Sequence, residues 1–342
     1  MRIIWNIRHS LSRMLYAIAE RLPSAWTRKI TILLCALRRD WRAIRLLSDF
    51  SGELESVSAA EIDRHFQGLD ENSLFLLKRY IGKSHFIPWF HWVTAQTPRH
   101  YHVWAGLCTE EEFSRGKRQE EEELPALRRK YHLPGTMGDA SSLIHHHGLK
   151  SISSELKAYL RGKVFIDAGA YVGDSSLAFM EYSPATIYAF EPSRSNRDIF
   201  SKLMAENQIQ DDRIVLVNKG LADHKGVTTF SENTSGTSLR EAGSCRVELI
   251  TLDDFVKENK LPPVGLIKAD VEGMGLALLK GALETIKRDK PVLSLCIYHN
   301  KEEFLGTYDL LRNQNLPYDY KVVSLCMPWE NNELVLLGLP RL

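Results

Sequence analysis

One short segment constrains the fold of this chain more than any other. Residues 164–174 read Val-Phe-Ile-Asp-Ala-Gly-Ala-Tyr-Val-Gly-Asp: an apolar run that ends in Asp167 and is followed by Gly169, Gly173 and a helix-like stretch. A strand, a tight glycine-bearing turn and a helix start form the unit with which an open α/β sheet holds a nucleotide-like ligand. An ordinary βα turn without a ligand is the alternative interpretation, because a single glycine motif is weak evidence.

The spacing of the glycines favours one class of ligand over another. A dinucleotide site uses G-x-G-x-x-G so that the backbone approaches a pyrophosphate, whereas Tyr171 stands here where the middle glycine would be. S-adenosylmethionine (SAM) has a ribose and an amino-acid tail but no phosphate, so it fits this turn better than NAD. A second apolar run, Ile187–Phe190, ends in Glu191, whose carboxylate can accept hydrogen bonds from both ribose hydroxyls.

The C-terminal half alternates between strand-like and helix-like segments. This alternation predicts a mostly parallel sheet with helices on both faces. The predicted strands are 163–167, 187–191, 214–218, 265–270, 292–297, 320–325 and 333–337, with short β segments at 227–231 and 246–251. The predicted helices are 175–182, 195–207, 274–288 and 301–313. The last two strands are separated mainly by residues 328–332, so a hairpin there would make the seven-stranded sheet mixed.

The N-terminal region, residues 1–145, is predicted to be mostly helical and to precede a second domain at 146–342. Apolar residues recur at helical spacing from Ile3 to Ile18, and Ser58-Ala-Ala-Glu61 resembles a capping box. Further predicted helices are 27–47, 59–67, 72–82, a charged one at 110–130 with a kink near Pro125, and 153–160. Residues 86–104 are predicted to be irregular, and 132–138 is the best linker.

Charge and cysteine content bound the class of protein. The net charge is +1, which shows no global bias toward nucleic acid, but residues 1–50 carry ten Lys/Arg against three acids. We favour an amphipathic helix docked on the protein, and peripheral contact of residues 1–47 with an anionic membrane is the alternative. The five scattered cysteines and the absence of a signal-peptide pattern favour a cytoplasmic protein without a disulfide framework.

Candidate catalytic residues follow two later strands. Leu266–Ala269 runs into Asp270 and Glu272, and a further strand ends near His299. Because the carboxyl ends of parallel strands share one edge of the sheet, these groups should face the same crevice as Asp167 and Glu191. Capping of the following helix is the alternative role of both acids. Asp270 or His299 could remove a proton from a reacting hydroxyl, and a metal-assisted reaction is a less favoured alternative.

These segments together resemble the FkbM family of SAM-dependent methyltransferases. The segments that carry the resemblance are 165–174, 190–193, 251–255, 267–273, 279–282 and 297–303. The resemblance covers residues 160–340 and implies a class I methyltransferase (Rossmann-like) fold and methyl transfer to an oxygen of a sugar or natural product. It implies that Asp167, Gly169 and Gly173 surround the methionine end of SAM and that Glu191 binds the ribose. We expect the whole cofactor site to comprise Asp167, Gly169, Ala170, Tyr171, Gly173, Glu191, Asp270 and Glu272, with Asp270 and His299 catalytic, no bound metal, and a small-molecule or glycan acceptor.

One departure from the family pattern bears on activity. The family usually has a second acid two residues after Asp-Val-Glu-Gly, and this chain has Gly275 there. A non-catalytic SAM-binding or partner-binding protein is therefore the alternative function. Two other features have ordinary interpretations: His145–His147 as a solvated linker in preference to a metal site, and the Trp/His-rich residues 85–104 as helical packing in preference to a sugar platform.

Overall fold

The predicted strands form one mixed sheet. In the computed structural model, which describes residues 54–81, 109–135, 137–210, 212–230, 245–326 and 333–342, seven strands have the order β3-β2-β1-β7-β8-β10-β9. They are β1 (Val164–Ala168), β2 (Thr186–Phe190), β3 (Ile214–Val217), β7 (Val264–Ala269), β8 (Val292–Cys296), β9 (Tyr318–Ser324) and β10 (Leu334–Pro340). A second sheet, of order β4-β6-β5, contains β4 (Gly220–Leu221), β5 (Gly226–Phe230) and β6 (Cys245–Ile250).

The predicted hairpin is confirmed. β10 is antiparallel to both β8 and β9, while β3, β2, β1, β7 and β8 run parallel to one another. The chain leaves β1 toward β2 on one side, and β7 continues toward β8 on the other. A crevice therefore opens at the carboxyl ends of β1 and β7, where the strand order reverses.

Helices cover the sheet close to their predicted positions. They are α1 (Ala59–His65), α2 (71–81), α3 (Glu110–Arg118), α4 (Leu124–Lys130), α5 (Ser154–Leu160), α6 (Asp174–Phe179), α7 (Arg194–Glu206), α8 (Leu252–Glu258), α9 (Gly275–Lys280), α10 (Leu283–Asp289) and α11 (Lys301–Arg312). The single helix predicted at 274–288 is wrong, because the chain breaks between α9 and α10. There the backbone of Gly281 approaches Ala222 so closely that a Cβ would lie 2.1 Å from the Ala222 carbonyl oxygen.

The first described helices pack on α11 and on the edge strand β9. The predicted capping box is present, because the Ser58 hydroxyl accepts from the Glu61 N–H and the Glu61 carboxylate accepts from the Ser58 N–H. The Phe66 ring lies 5.5 Å from that of Phe304. The Val322 N–H of β9 donates to the Ser73 hydroxyl at 2.8 Å, which satisfies one donor of the sheet edge.

The charged helix is also confirmed, with its irregularity where proline predicts one. α3 and α4 are joined by a π-helical turn, Gln119–Glu123, directly before Pro125, which lacks an N–H and cannot continue a regular ladder. The predicted linker 132–138 is a compact turn: Leu133 is buried, and the Arg128 guanidinium donates to the carbonyls of residues 137 and 138.

The described part of the N-terminal region therefore shares its apolar core with the sheet. Leu54, Ile62, Phe66 and Leu77 belong to the cluster that contains the residues of β7, β8 and β10, and Leu143 belongs to the cluster on the other face. The boundary at 145 stays a prediction. The predicted helical stripe at 3–18, the helix at 27–47 and the segment 86–104 lie outside the described residues.

Candidate active site

A pocket occupies the crevice at the carboxyl ends of β1, β2 and β7. Its cavity volume is about 300 Å³. Five of the sequence-predicted residues line it: Gly169, Tyr171, Glu191, Asp270 and Glu272. Other predicted residues, Asp167, Ala170, Gly173 and His299, lie behind this wall. The structure thus brings the predicted residues together. Some of them line the pocket, and the others lie beneath the lining residues.

The turn between β1 and α6 consists largely of residues with left-handed backbone conformation. φ is +75° at Gly169, +47° at Tyr171 and +94° at Gly173. A Cβ on Gly169 would lie 1.8 Å from the Asp270 carbonyl oxygen, so only glycine fits where the β1 and β7 loops meet. The tight turn leaves the Tyr171 ring 43% exposed at the pocket surface.

Asp167 supports this turn from within the sheet. Its side chain is fully buried, accepts from the Ser176 hydroxyl at 2.7 Å and lies 3.1 Å from the Lys268 ammonium. The same ammonium donates to the Gly169 carbonyl at 2.8 Å. Burial disfavours a charged lysine, but the charges of Asp167 and Asp270 outweigh it and raise the pKa of Lys268. The buried ion pair thus holds the glycine turn in place.

Glu191 stands at the tip of β2, where the sequence predicted a ribose-binding carboxylate. One carboxylate oxygen accepts the Tyr171 N–H at 3.0 Å and the other accepts the Ser193 N–H at 2.8 Å. Burial raises the pKa of Glu191 to about 6 despite these hydrogen bonds. The Asn196 side chain also donates to this carboxylate. A carboxylate has about four lone-pair sites, so it can still accept from a ligand in the pocket.

At the other end of the pocket, Asp270 leads into a buried chain of charged groups. Its Oδ1 lies 3.1 Å from Nε2 of His299, and Nδ1 of His299 lies 2.8 Å from Oε1 of Glu303. Burial opposes a charged imidazole, but the hydrogen bonds to both carboxylates outweigh it and raise the pKa of His299 well above its usual range. Burial likewise acts against the Asp270 carboxylate, yet the His299 hydrogen bond and the Lys268 charge lower its pKa.

Helix capping does not account for Asp270 and Glu272. α9 begins at Gly275 after Met274, and no side chain of the N-cap residue bonds to it. Instead the Gly275 N–H donates to Oε2 of Glu303 at 2.9 Å. Glu272 adopts φ of +50° and lines the pocket, where burial raises the pKa of its carboxyl.

The interpretation of His145–His147 as a solvated linker is wrong. His146 and His147 are 1% and 3% exposed, because the segment 146–151 packs under β8 and β10. Burial lowers the pKa of His147 to about 3, so its imidazole is neutral and lines the pocket. Its two ring nitrogens lie 3.2 Å from the Ser141 hydroxyl and 2.7 Å from the Ser175 hydroxyl.

One set of side chains has the composition of a metal site. His147, Asp270, Cys296 and Glu333 each offer a ligand atom within 4.8 Å of the others. Both nitrogens of the neutral His147 are already hydrogen-bonded, however, so the imidazole has no free lone pair for a cation. The absence of a bound metal therefore stays a prediction, and a direct metal titration can test it.

Sequence reasoning missed several pocket residues. Asp139, Asp174, Lys268, Tyr298 and Glu333 also line the cavity. Lys268 could have been found, because a lysine inside the apolar run Val264–Ala269 needs a buried partner. Asp139 and Glu333 carry no such local signal, since only the packing of their segments against the sheet brings them to the pocket.

Comparisons with known proteins find similar sequences and a similar fold. Residues 167–320 match the family model described as the methyltransferase FkbM domain. Hexuronic acid methyltransferase AglP of Haloferax volcanii is 27% identical over 128 residues, which are 36% of this chain and 52% of that protein. The crystal structure of methyltransferase FkbM from Methylobacillus flagellatus KT has a TM-score of 0.53 at 17% identity, over 82% of this chain and 58% of that one.

The extent of these matches limits what they show. The chain spans about half the length of the curated relative, and the likeness to the solved structure shows the fold alone. The family match begins at Asp167 and includes Glu191, Asp270 and His299, so it covers both ends of the pocket. Residues 167–320 are therefore similar to the methyltransferase FkbM domain, and the chain has a class I methyltransferase-like fold.

Proposed function

We propose that this chain transfers a methyl group from SAM to a hydroxyl oxygen of a sugar, a glycan precursor or a related small molecule. The observation that carries the proposal is one pocket with Glu191 at the tip of β2 and Asp270 at the tip of β7. The FkbM match and the hexuronic acid methyltransferase among its relatives support both the reaction and the acceptor class.

The pocket suits a cationic cofactor. Its described lining includes six carboxylates against two lysines: Asp139, Asp174, Glu191, Asp270, Glu272 and Glu333 against Lys219 and Lys268. SAM carries a sulfonium and an ammonium, and it supplies an activated methyl group. Glu191 would hold the ribose, and the turn 169–173 would surround the methionine end. Tyr171 stands where a dinucleotide site has the middle glycine that lets the backbone approach a pyrophosphate, which argues against NAD.

Asp270 is placed to receive the proton of the acceptor hydroxyl. Its side chain is 22% exposed, whereas the His299 side chain behind it is 5% exposed. A carboxylate with a lowered pKa is a weak base, but a hydroxyl oxygen becomes strongly acidic as it bonds to the methyl carbon. A weak base is then sufficient, and the main task of the pocket is to orient the oxygen and to exclude water.

The charge of the pocket also bears on the acceptor. Among the described lining residues, Lys219 is paired with Glu248 and Lys268 with Asp167. No unpaired cation of this described set is available for a uronate carboxylate. We therefore expect a neutral sugar hydroxyl to be a better acceptor than a hexuronic acid, which a panel of both acceptor types can test.

Binding and turnover together test the proposed function. SAM affinity is measured by calorimetry with NAD as the comparison ligand, and transfer from methyl-labelled SAM is measured with the acceptor panel. Asp270→Asn should lower turnover by about 10²–10⁴-fold if the carboxylate takes the proton. Asp319→Asn, which removes a 66% exposed carboxylate on β9 outside the pocket, is the matched control. Normal turnover of Asp270→Asn on a folded protein would contradict this role.

The same measurements separate the alternative function. A non-catalytic protein would bind SAM but would methylate no acceptor of the panel. Gly275, at a position where the family usually has an acid, motivates this alternative. Glu303 places a carboxylate 2.9 Å from the Gly275 nitrogen, which favours the catalytic interpretation.

Two further parts of the proposal concern the cell. We propose a cytoplasmic location and a role in polysaccharide biosynthesis, with a glycan acceptor and without nucleic acid as a partner. Among the described residues, no helix is long and apolar enough to cross a membrane. Contact of residues 1–47 with an anionic membrane stays a prediction, which vesicle binding of the full chain would test.

A further inference from the structure

Glu303 is a buried carboxylate that the proposed reaction does not itself require. It lies in the first turn of α11, and its side chain is 1% exposed. Both oxygens are used, since Oε1 accepts from His299 and Oε2 accepts from the Gly275 N–H. A buried charge is costly unless it is paired, so this carboxylate is retained against a substantial desolvation cost.

The charged groups are arranged in one order from the pocket inward. Asp270 is at the pocket surface, His299 contacts it through Nε2, and Glu303 contacts the opposite ring nitrogen. A carboxylate near each nitrogen favours the doubly protonated, charged ring. Nδ1–H donates to Glu303, whereas Nε2 makes no aligned hydrogen bond and acts on Oδ1 of Asp270 as an ion pair at 3.1 Å.

Gly275 makes room for this arrangement. A Cβ on residue 275 would lie 2.7 Å from Oε2 of Glu303 and 3.3 Å from its carboxyl carbon. A larger residue at 275 would therefore push the Glu303 carboxylate away from α9. The carboxylate absent from the chain at 275 is thus supplied in space by Glu303.

We propose that Glu303 is a positioning residue for methyl transfer: it fixes the charged His299 imidazole, which in turn orients the Asp270 carboxylate toward the acceptor. Gly275 permits this by leaving space for the Glu303 side chain. The inference rests on the proposed methyltransferase function. It assigns no contact with the substrate to either His299 or Glu303.

Other charged groups surround Asp270, His299 and Glu303. Glu272, from the loop between β7 and α9, acts electrostatically on His299 in addition to Asp270 and Glu303. Lys268, His147 and Glu333 act on Asp270.

The competing explanation is purely structural, with Glu303 serving only to satisfy the first N–H of α9 and so to stabilise the fold.

Glu303→Gln separates the two explanations, because an amide oxygen can still accept the Gly275 N–H while the negative charge is lost. In the full chain, NMR of the labelled His299 imidazole should show a lower pKa in Glu303→Gln than in wild type. Turnover should fall by about 10²-fold, the effect of misplacing a reacting group, with SAM affinity changed less than about threefold. The alkaline fall in activity, where His299 loses its proton, should move to lower pH.

Gly275→Ala tests the same arrangement without removing an ionisable group. The added Cβ should displace Glu303 and should shift the His299 pKa and the pH profile in the same direction. Gly306→Ala on α11 is the matched control, since its Cβ would meet the flexible Leu276 side chain at 3.0 Å.

Two results would overturn the inference. One is an unchanged His299 pKa in Glu303→Gln or, should that variant fail to fold, in Gly275→Ala. The other is an unchanged pH profile together with a loss of stability, which would leave Glu303 as a helix cap. Because the imidazole titration needs no turnover, it tests Glu303 even if wild type methylates no acceptor and the proposed function fails.

Discussion

The two ends of the pocket are built in different ways. At the β1–β2 end, the site is mainly backbone: Gly169, Tyr171 and Gly173 adopt left-handed conformations, and backbone N–H groups hold the Glu191 carboxylate. At the β7–β8 end, the site is mainly side chains, with Asp270 held by a chain of groups that ends on α11. The first end is rigid because its conformation permits few residues, and the second because its charges are paired.

This difference predicts how each end fails. A change at the backbone-built end should prevent folding or cofactor binding, because the turn has no alternative conformation. A change at the side-chain-built end should keep the protein folded but lower the rate of methyl transfer. A reacting group that is displaced by about 1 Å can lower the rate about 10²-fold.

Gly169→Ala should give little or no folded protein. A non-glycine residue in the left-handed conformation lowers the free energy of unfolding by about 1–2 kcal/mol. It also places Cβ 1.8 Å from the Asp270 carbonyl oxygen, a clash with backbone that no side-chain rotation relieves. Gly162→Ala is the control, since its φ is +70° but no atom lies within 4 Å of its Cβ. If urea denaturation gives similar unfolding free energies for both variants, the left-handed conformation alone explains the loss of stability. The close approach of residue 169 to the Asp270 carbonyl would then contribute nothing.

Phe66→Ala should destabilise the protein by about 3–5 kcal/mol, as expected for loss of a fully buried aromatic ring. Phe66 packs on Phe304 and Tyr308 of α11, the helix that carries Glu303. We therefore expect the remaining folded protein to lose turnover more than SAM affinity. Phe75→Ala is the control, because its side chain is 58% exposed.

The same packing changes what we expect of a fragment that lacks residues 1–147. Such a fragment would expose the apolar face that α1 and α2 cover, so we expect it to be unstable. A soluble fragment 148–342 that binds SAM with the affinity of the full chain would restore the predicted boundary as a domain boundary.

Glu191→Gln should weaken SAM binding by about 1.5–3 kcal/mol for each charged hydrogen bond lost, less what water restores. Burial raises the pKa of Glu191 to about 6, so wild-type affinity should fall as the pH drops through that value. Calorimetry should find Glu191→Gln weak and nearly independent of pH in this range. Asp174, whose pKa burial also raises to about 6, is tested by Asp174→Asn, which should keep the pH dependence if Glu191 causes it.

The raised pKa of Glu191 also has a consequence for stability. The folded protein holds this proton up to about pH 6, whereas the unfolded chain releases it near the ordinary value of 4.5. The folded state therefore binds more protons between these values, and the contribution of Glu191 to the unfolding free energy should decrease as the pH rises through this window. Glu191→Gln should remove that part of the pH dependence.

The β1–β2 end could be predicted because its information is local. The order strand, Asp167, Gly169, Gly173, helix lies within eleven consecutive residues, and the periodicity of the segments that follow indicates the parallel sheet. The predicted strand positions are close to those observed, since apolar runs bounded by turn residues have few other conformations. The order of the strands placed Glu191 and Asp270 at one edge.

The rest of the site depends on contacts that no local pattern records. The sequence predicts a solvated linker at His147 and carries no local signal at Glu333, yet both residues line the pocket. His147 reaches it because the segment 146–151 packs against β8 and β10, and Glu333 directly precedes β10. Gly275 pointed to a missing acid, whereas the structure places Glu303 in that space.

The sequence by itself determined the sheet, the glycine turn and the acids at the strand tips, because backbone conformation and apolar periodicity act between near neighbours. Only the tertiary structure decided which acids face the pocket and which lie behind it. It also decided that His299 is held between Asp270 and Glu303 rather than exposed. These outcomes depend on burial and on the pairing of charges from different elements, and both quantities exist only once the chain has folded.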